Sequence, residues 1–260
     1  MHFAGEYTKG RLEGCDISGS KSYNVTFSGG ADPILVASCI HDGVCGVRIM
    51  NSETKGRVER CEISRHKLEG ARVDDGADPL ILASRIHDNE SYGVVFHGAG
   101  TQGKLERAVV FGNAGVGGLQ CGVGVLAGAG PQILSTRIYG NGGVANVLFS
   151  GEGTTGLLSS CAVSGGAAAG VVIESGASPF VKSNAVYLNK QVRFLTCESR
   201  VPFSVKAPSS SPRSSPSRST GKFHGEEEVP QAESPSKKAN SFRNSVAGFR
   251  RAFPCCMECF

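Results

Sequence analysis

Gly70-Ala-Arg-Val-Asp-Asp-Gly-Ala-Asp-Pro79 decides the reading of this chain, because the same block returns at Asn24–Pro33, Gly122–Pro131 and Gly170–Pro179. A second block lies between the copies, at Gly46–Gly56, Gly93–Gly103 and Asn146–Gly156. Working outward, one apolar position can be followed down the chain as Ile17, Ile40, Ile63, Ile86, Val110, Ile138, Val163 and Val186, in steps of 23, 23, 23, 24, 28, 25 and 23. Two residues before each stands a small side chain: Cys15, Ser38, Cys61, Ser84, Ala108, Thr136, Cys161 and Asn184. Residues that alternate inward and outward belong to strands, and a fixed short period belongs to a stacked repeat. Helical repeats run longer and need apolar spacings of three and four, which this pattern lacks.

Three residues after each ladder Ile or Val come Ser20, Gly43, His66, Asn89, Asn113, Asn141, Gly166 and Asn189. Asn and Gly tolerate positive φ, so a sharp bend is expected there. A second strand such as Gly93–Phe96 follows, then a Gly-rich corner often closed by Pro (Pro33, Pro79, Pro131, Pro179), then a third strand such as Leu80–Leu82. Three strands and three corners make one rung of a parallel β-helix. About eight rungs at ~4.8 Å would stack to roughly 38 Å.

The pattern resembles the right-handed parallel β-helix superfamily and its PbH1/CASH-type repeats. The rungs ILASRIHDNESYGVVFHGAG and ILSTRIYGNGGVANVLFSGEG are most similar to the β-helix region of F-box proteins and of periplasmic copper-maturation proteins. The resemblance implies an all-β, right-handed, single-stranded parallel β-helix of the pectate-lyase-like superfold. It says little of function, since its motif consists of core and turn residues.

Thirty-six Gly and no Trp suit tight corners around a narrow core. Of the ten Cys, Cys15, Cys61 and Cys161 share the inward small position and read as core fillers rather than as a disulfide framework. With no signal peptide or spanning apolar run in sight, a reduced, cytoplasmic setting is expected. Net charge is +4, and residues 207–260 hold eight Lys/Arg against five Glu. The near-neutral repeat region does not read as a nucleic-acid binder.

Three regions are expected: the β-helix over 1–206, a disordered Ser/Pro-rich linker over 207–240, and a basic, amphipathic, Cys-rich tail over 241–260. Phe3–Gly10 aligns on Phe96–Gly103, which puts Met1 opposite Val94, inside a strand, so upstream rungs are expected to be missing. Ser211, Ser215 and Ser234 each precede Pro and are candidates for proline-directed phosphorylation; they serve equally as plain linker. Phe242, Val246, Phe249 and Phe253 keep helical spacing beside Cys255, Cys256 and Cys259, a pattern that fits lipidation at a membrane surface or a short helix. Cys256 and Cys259 form one C-x-x-C, but a closed zinc site needs two more ligands. No metal and no cofactor are expected.

Sugar-processing β-helices carry paired carboxylates on outward positions of neighbouring rungs. The outward column of the G-V-x-V strand runs Thr26, Arg48, Arg72, Val95, Gly124, Leu148 and Val172, and the next runs Met50, Asp74, His97, Leu126, Ser150 and Glu174. Asp74 and His97 fall on adjacent rungs with Asp75 and Arg72 beside them, the only catalytic candidates, although Asp75 could simply shape its corner. His41-Asp42 and His87-Asp88 lie two rungs apart, about 10 Å, and read as turn residues. A Glu62–Arg85 surface pair is expected, worth under ~1 kcal/mol. Val110 to Gly122 spans 12 positions where Ile63 to Gly70 spans 7, so the surplus within Ala114–Cys121 bulges from its corner. Val116 and Leu119 there, with Arg48, Arg72, Val95, Leu148 and Val172, form a candidate binding surface.

The expected function is a non-catalytic recognition or scaffold protein that offers a side face to a protein partner. The alternatives are a polysaccharide lyase, glycoside hydrolase or sugar-binding module, and a membrane-tethered structural protein held by its terminal Cys cluster.

Overall fold

The computed structural model describes residues 1–115 and 118–191, and the strands Phe194–Thr196 and Phe203–Ser204. Every strand pairs in parallel with the strand one rung away, giving three sheets that run the length of the stack. Sheet 1 holds nine strands from His2–Ala4 to Phe194–Thr196, the longest being six-residue strands such as Cys121–Leu126. Sheet 2 holds nine three-residue or shorter strands from Arg11–Glu13 to Phe203–Ser204, and sheet 3 holds eight from Asp16–Ser18 to Ala185–Tyr187. The chain visits sheets 1, 2 and 3 in turn, so the all-β stack of eight rungs read from the period is the architecture observed.

Columns of like side chains fill the interior. Ile40, Ile63, Ile86, Val110, Ile138 and Val163 lie directly over one another and are fully buried. Phe27, Phe96 and Phe149 do the same work in sheet 1, each buried aromatic or aliphatic side chain contributing ~1.5–3 kcal/mol over exposure. The small column also points inward. Cys61 and Cys161 belong to the core, and side chains in this column cap the backbone N–H one rung below: Ser38 for Cys15, Ser84 for Cys61, Asn184 for Cys161. Met1 immediately precedes the first strand of sheet 1, His2–Ala4, rather than lying inside it, and its carbonyl accepts from Thr26 N–H at 2.9 Å.

The bend between sheets 3 and 1 differs from expectation by one residue. Positive φ falls at Gly19, Asp42, Arg65, Asp88, Gly112, Gly140, Gly165 and Leu188, each one position before the expected site. Of the residues that follow, His66, Asn89, Asn113 and Asn141 are buried and Asn189 is half-buried, and they hydrogen-bond along the stack. Asn24 Nδ2 meets His66 Nε2 (3.2 Å), His66 Nδ1 meets Asn89 Oδ1 (2.8 Å), and Nδ2 of Asn89 donates to Asn113 Oδ1 (2.8 Å). Asn113 donates to Asn141, Asn141 to Asn146, and Asn146 to Asn189. Oδ1 of these residues also accepts backbone N–H groups that the corner would otherwise bury unpaired.

A steric rule accompanies this ladder. A Cβ on Gly46, Gly70, Gly93 or Gly122 would strike His66, Asn89, Asn113 or Asn141 at 2.5–3.0 Å. Where the ladder position is itself glycine, at Gly43 and Gly166, the side chain comes from the other strand, as Asn24 and Asn146, and fills the same space. In each of these six pairs one member is glycine and the other supplies the polar group.

Candidate functional site

On the outer face of sheet 1 the register sets Arg48, Arg72 and Val95 in one column and Met50, Asp74 and His97 in the next. Asp74 is 2% exposed, and both its oxygens are occupied. Arg72 Nε donates to Oδ2 at 2.7 Å, while Arg48 donates to Oδ2 through Nη2 (2.9 Å) and to Oδ1 through Nε (3.3 Å). Burial opposes the charge on both guanidiniums, but the hydrogen bonds to Asp74 prevail and raise their pKa. Glu69 accepts from Arg72 at 3.4 Å and from the Cys45 thiol at 3.5 Å. Burial first, and Glu69 second, push that thiol up to about 11. The Arg48 guanidinium also lies 5.2 Å from the centre of the Tyr23 ring.

This is a closed network. A general acid must offer a proton and a nucleophile a free oxygen, whereas Asp74 is fully engaged by two permanent cations. Asp75 sits in its corner at φ 54° ahead of Gly76 at φ 84°, so turn geometry accounts for it. His97 is in register with Asp74 on the next rung, but the carboxylate faces the arginines.

Val95, Leu148 and Val172, read as part of a contact strip, are buried. Leu148 and Val172 pack with Cys121, Ala145 and Ala169 in a second hydrophobic cluster, flanked by Tyr92, Leu126 and Val144. Tyr92 leans across Gly124, where a Cβ would meet its ring at 2.8 Å. These side chains are therefore not open to a partner. Leu119 is exposed, while Val116 lies outside the described residues. Ser211, Ser215, Ser234, Cys255, Cys256, Cys259 and the whole of 207–260 also lie outside them.

The outer face of sheet 3 carries an arrangement that sequence reasoning missed. Its register stacks Ser18, His41, Ser64, His87, Phe111, Tyr139, Ser164 and Tyr187 in one column. His41 is held between Asp16 (2.5 Å) and Asp42 (2.7 Å), and Arg65 clamps Asp42 from the next rung through Nε and Nη2. His87 repeats the device between Glu62 (3.1 Å) and Asp88 (2.9 Å). Glu62 thus pairs with His87 rather than with Arg85, whose guanidinium lies 5.4 Å from the centre of the Phe111 ring.

From His87 upward the column becomes an aromatic stack. The His87 and Phe111 rings lie 4.6 Å apart at 13°, and those of Phe111 and Tyr139 5.2 Å apart at 4°. Ser164 then interrupts the stack, and Tyr187 follows. Tyr139 is 39% exposed and Tyr187 44%. Beside them the neighbouring column runs upward from Arg85 through Val109, Arg137, Ala162 and Ala185 without an acid, its carboxylates, Glu62 and Asp16, lying on the rungs below Arg85. The signal was available, since each of these aromatics stands directly after its ladder Ile or Val.

No curated protein matches this chain. Residues 3–130 match the family model described as right handed beta helix region. Among solved structures, the mannuronan C-5 epimerase AlgE4 A-module of Azotobacter vinelandii is similar with a TM-score of 0.54 at 17% identity, covering 77% of this chain and 57% of that one. The AlgE6 A-module of the same organism gives 0.46 at 15%, covering 73% and 65%. An alginate lyase from Paenibacillus sp. str. FPU-7 gives 0.42 at 13%, covering 74% and 81%. The chain therefore spans less than two thirds of either epimerase module, and likeness at such identities shows the fold alone. That family match covers residues 3–130, and the parallel rungs continue in the same register beyond it to Tyr187.

Proposed function

We propose that this β-helix is a non-catalytic recognition protein whose working surface is the outer face of sheet 3, and that its partner is another protein. The observation that carries the reading is the contrast between two faces. On sheet 1 the acidic candidate Asp74 is spent on Arg48 and Arg72, whereas on sheet 3 aromatic side chains stand in one column, and two of them, Tyr139 and Tyr187, are exposed. Rigid aromatic side chains give large contact area at low cost in conformational entropy, which suits a recognition surface.

The test is an affinity capture from the native cell with three baits: the intact chain, a version lacking 207–260, and a Phe111→Ser/Tyr139→Ser/Tyr187→Ser variant. The reading requires a partner kept by the first two and lost with the third. Capture that ignores the triple variant, or turnover of a glycan that disappears in Asp74→Asn, overturns it.

A further inference from the structure

We infer that Tyr139, Ser164, Tyr187 and Arg137 form a docking slot for a polyproline-II segment that bears an acidic residue, laid along the axis of the solenoid. The inference rests on sheet 3 being the working face and goes on to name what it holds. Tyr139, Ser164 and Tyr187 occupy three successive rungs of one column. Phe111 has His87 on one side and Tyr139 on the other, so it is closed. The side of Tyr139 that faces Ser164 carries no stacked ring among the described residues.

The dimensions select the ligand. Tyr139 and Tyr187 are two rungs apart, ~9.6 Å. A polyproline-II strand presents the same face every third residue, ~9.3 Å, so one turn of ligand spans the two rings. Short Ser164 is the floor between them. Such a strand makes no internal hydrogen bonds and leaves its carbonyls free to accept; Tyr139, Ser164 and Tyr187 each bring a hydroxyl that can donate. Aromatic-lined grooves take proline-rich segments in this way because the ligand is already ordered before it binds.

Arg137 supplies the polarity. It lies two residues before Tyr139 on the same strand, is exposed, and is followed up its column by Ala162 and Ala185, which leave it unshaded. Arg11, Arg48, Arg57, Arg72 and Arg107 are each held by a carboxylate; for Arg137 no acid is in place among the described residues. A guanidinium offers a carboxylate two parallel hydrogen bonds. At the opposite lip, Gly140 and Gly165 carry no side chain and leave the entrance open, while Leu188 extends the apolar rim beside Tyr187.

The test is titration of the full chain with a synthetic peptide carrying Pro at every third position and one Glu, read by tyrosine fluorescence and calorimetry. A scrambled peptide and neutral and uronic-acid oligosaccharides serve as comparators. The slot predicts that Tyr139→Ala and Tyr187→Ala each weaken the proline peptide by about tenfold or more. Ser164→Phe, which fills the slot without removing an aromatic, should do the same. Arg137→Glu should favour a Lys-bearing peptide over the Glu-bearing one, and Phe180→Ala on sheet 2 should change nothing. Equal binding of the scrambled peptide, indifference to Ser164→Phe, or binding of the oligosaccharides alone overturns the inference. If the native partner still depends on the aromatic column while the proline peptide fails, sheet 3 remains the working face and only the ligand class is refuted.

Discussion

Arg48 reaches across one rung and closes on Asp74 with two guanidinium nitrogens, so the most buried carboxylate on the outer face of sheet 1 is bound before any substrate could arrive. Arg72 takes the same oxygen from within the strand. Replacing Asp74 with Asn leaves two cations sharing a neutral acceptor. The expected cost is about 2–3 kcal/mol, below the figure for fully buried pairs because both guanidiniums are about a quarter exposed. Urea denaturation of Asp74→Asn measures it; an undiminished midpoint would show that the network is dispensable.

His66 gives the ladder a pH dependence. Burial, partly offset by the bond to Asn89, lowers its pKa below 6.5, with Asp42, His41 and Arg65 as the charged neighbours. A histidine whose folded pKa is depressed stabilises the fold above its unfolded value, and that contribution is lost as pH falls through the folded one. The melting temperature should therefore begin to drop as pH falls through about 6.5 and go on dropping below it, and His66→Asn should flatten the drop. Asp42, held down to about 2 chiefly by the hydrogen bond from Arg65, acts in a different window: its contribution is intact above about pH 4 and fades toward pH 2.

The glycine rule can be tested by exchange. Asn24→Gly strips acceptors and donors from Ser20 N–H and from the carbonyls of Ile17 and His41, and should cost about 1–3 kcal/mol. Gly43→Asn places a second side chain in occupied space and should cost at least as much. The double variant moves the amide from one strand to the other and should regain most of the loss. A strictly additive double-mutant cycle would refute the coupling.

Thiol labelling probes the interior. Burial raises Cys61 and Cys161 to about 11 and Cys121 further still, so they should resist iodoacetamide near pH 8 until denaturant is added. Cys255, Cys256 and Cys259 lie outside the described residues and are tested in the cell instead. If they carry lipid in the cell, changing all three to Ser should move the chain from the membrane to the soluble fraction.

Much of this structure was legible because the period leaves no choice. Once Ile40 lies over Ile17 and under Ile63, the parity of every residue in that strand is set, and the inward Cys61 and Cys161 follow. The bend misled by one residue. Asn tolerates positive φ, but here a side chain that satisfies buried backbone groups is worth more than a backbone preference, and Asp42, Arg65 and Asp88 accept the strained conformation instead. Outward contacts were least legible, since sequence fixes a column but not the reach of a side chain. Glu62 sits opposite Arg85 in register yet bonds His87, and Tyr92 closes over a strip that column order alone leaves open.

The alternation of glycine and amide also governs how such a chain can gain or lose rungs. Excising 47–70 leaves Gly46 facing Asn89, a compatible seam. Excising 25–46, one rung earlier and nearly the same length, sets Asn24 against His66 with both side chains claiming one site. Turns of this solenoid are therefore not interchangeable bricks, and recombination between them succeeds only at boundaries where the donor of bulk and the donor of room still alternate.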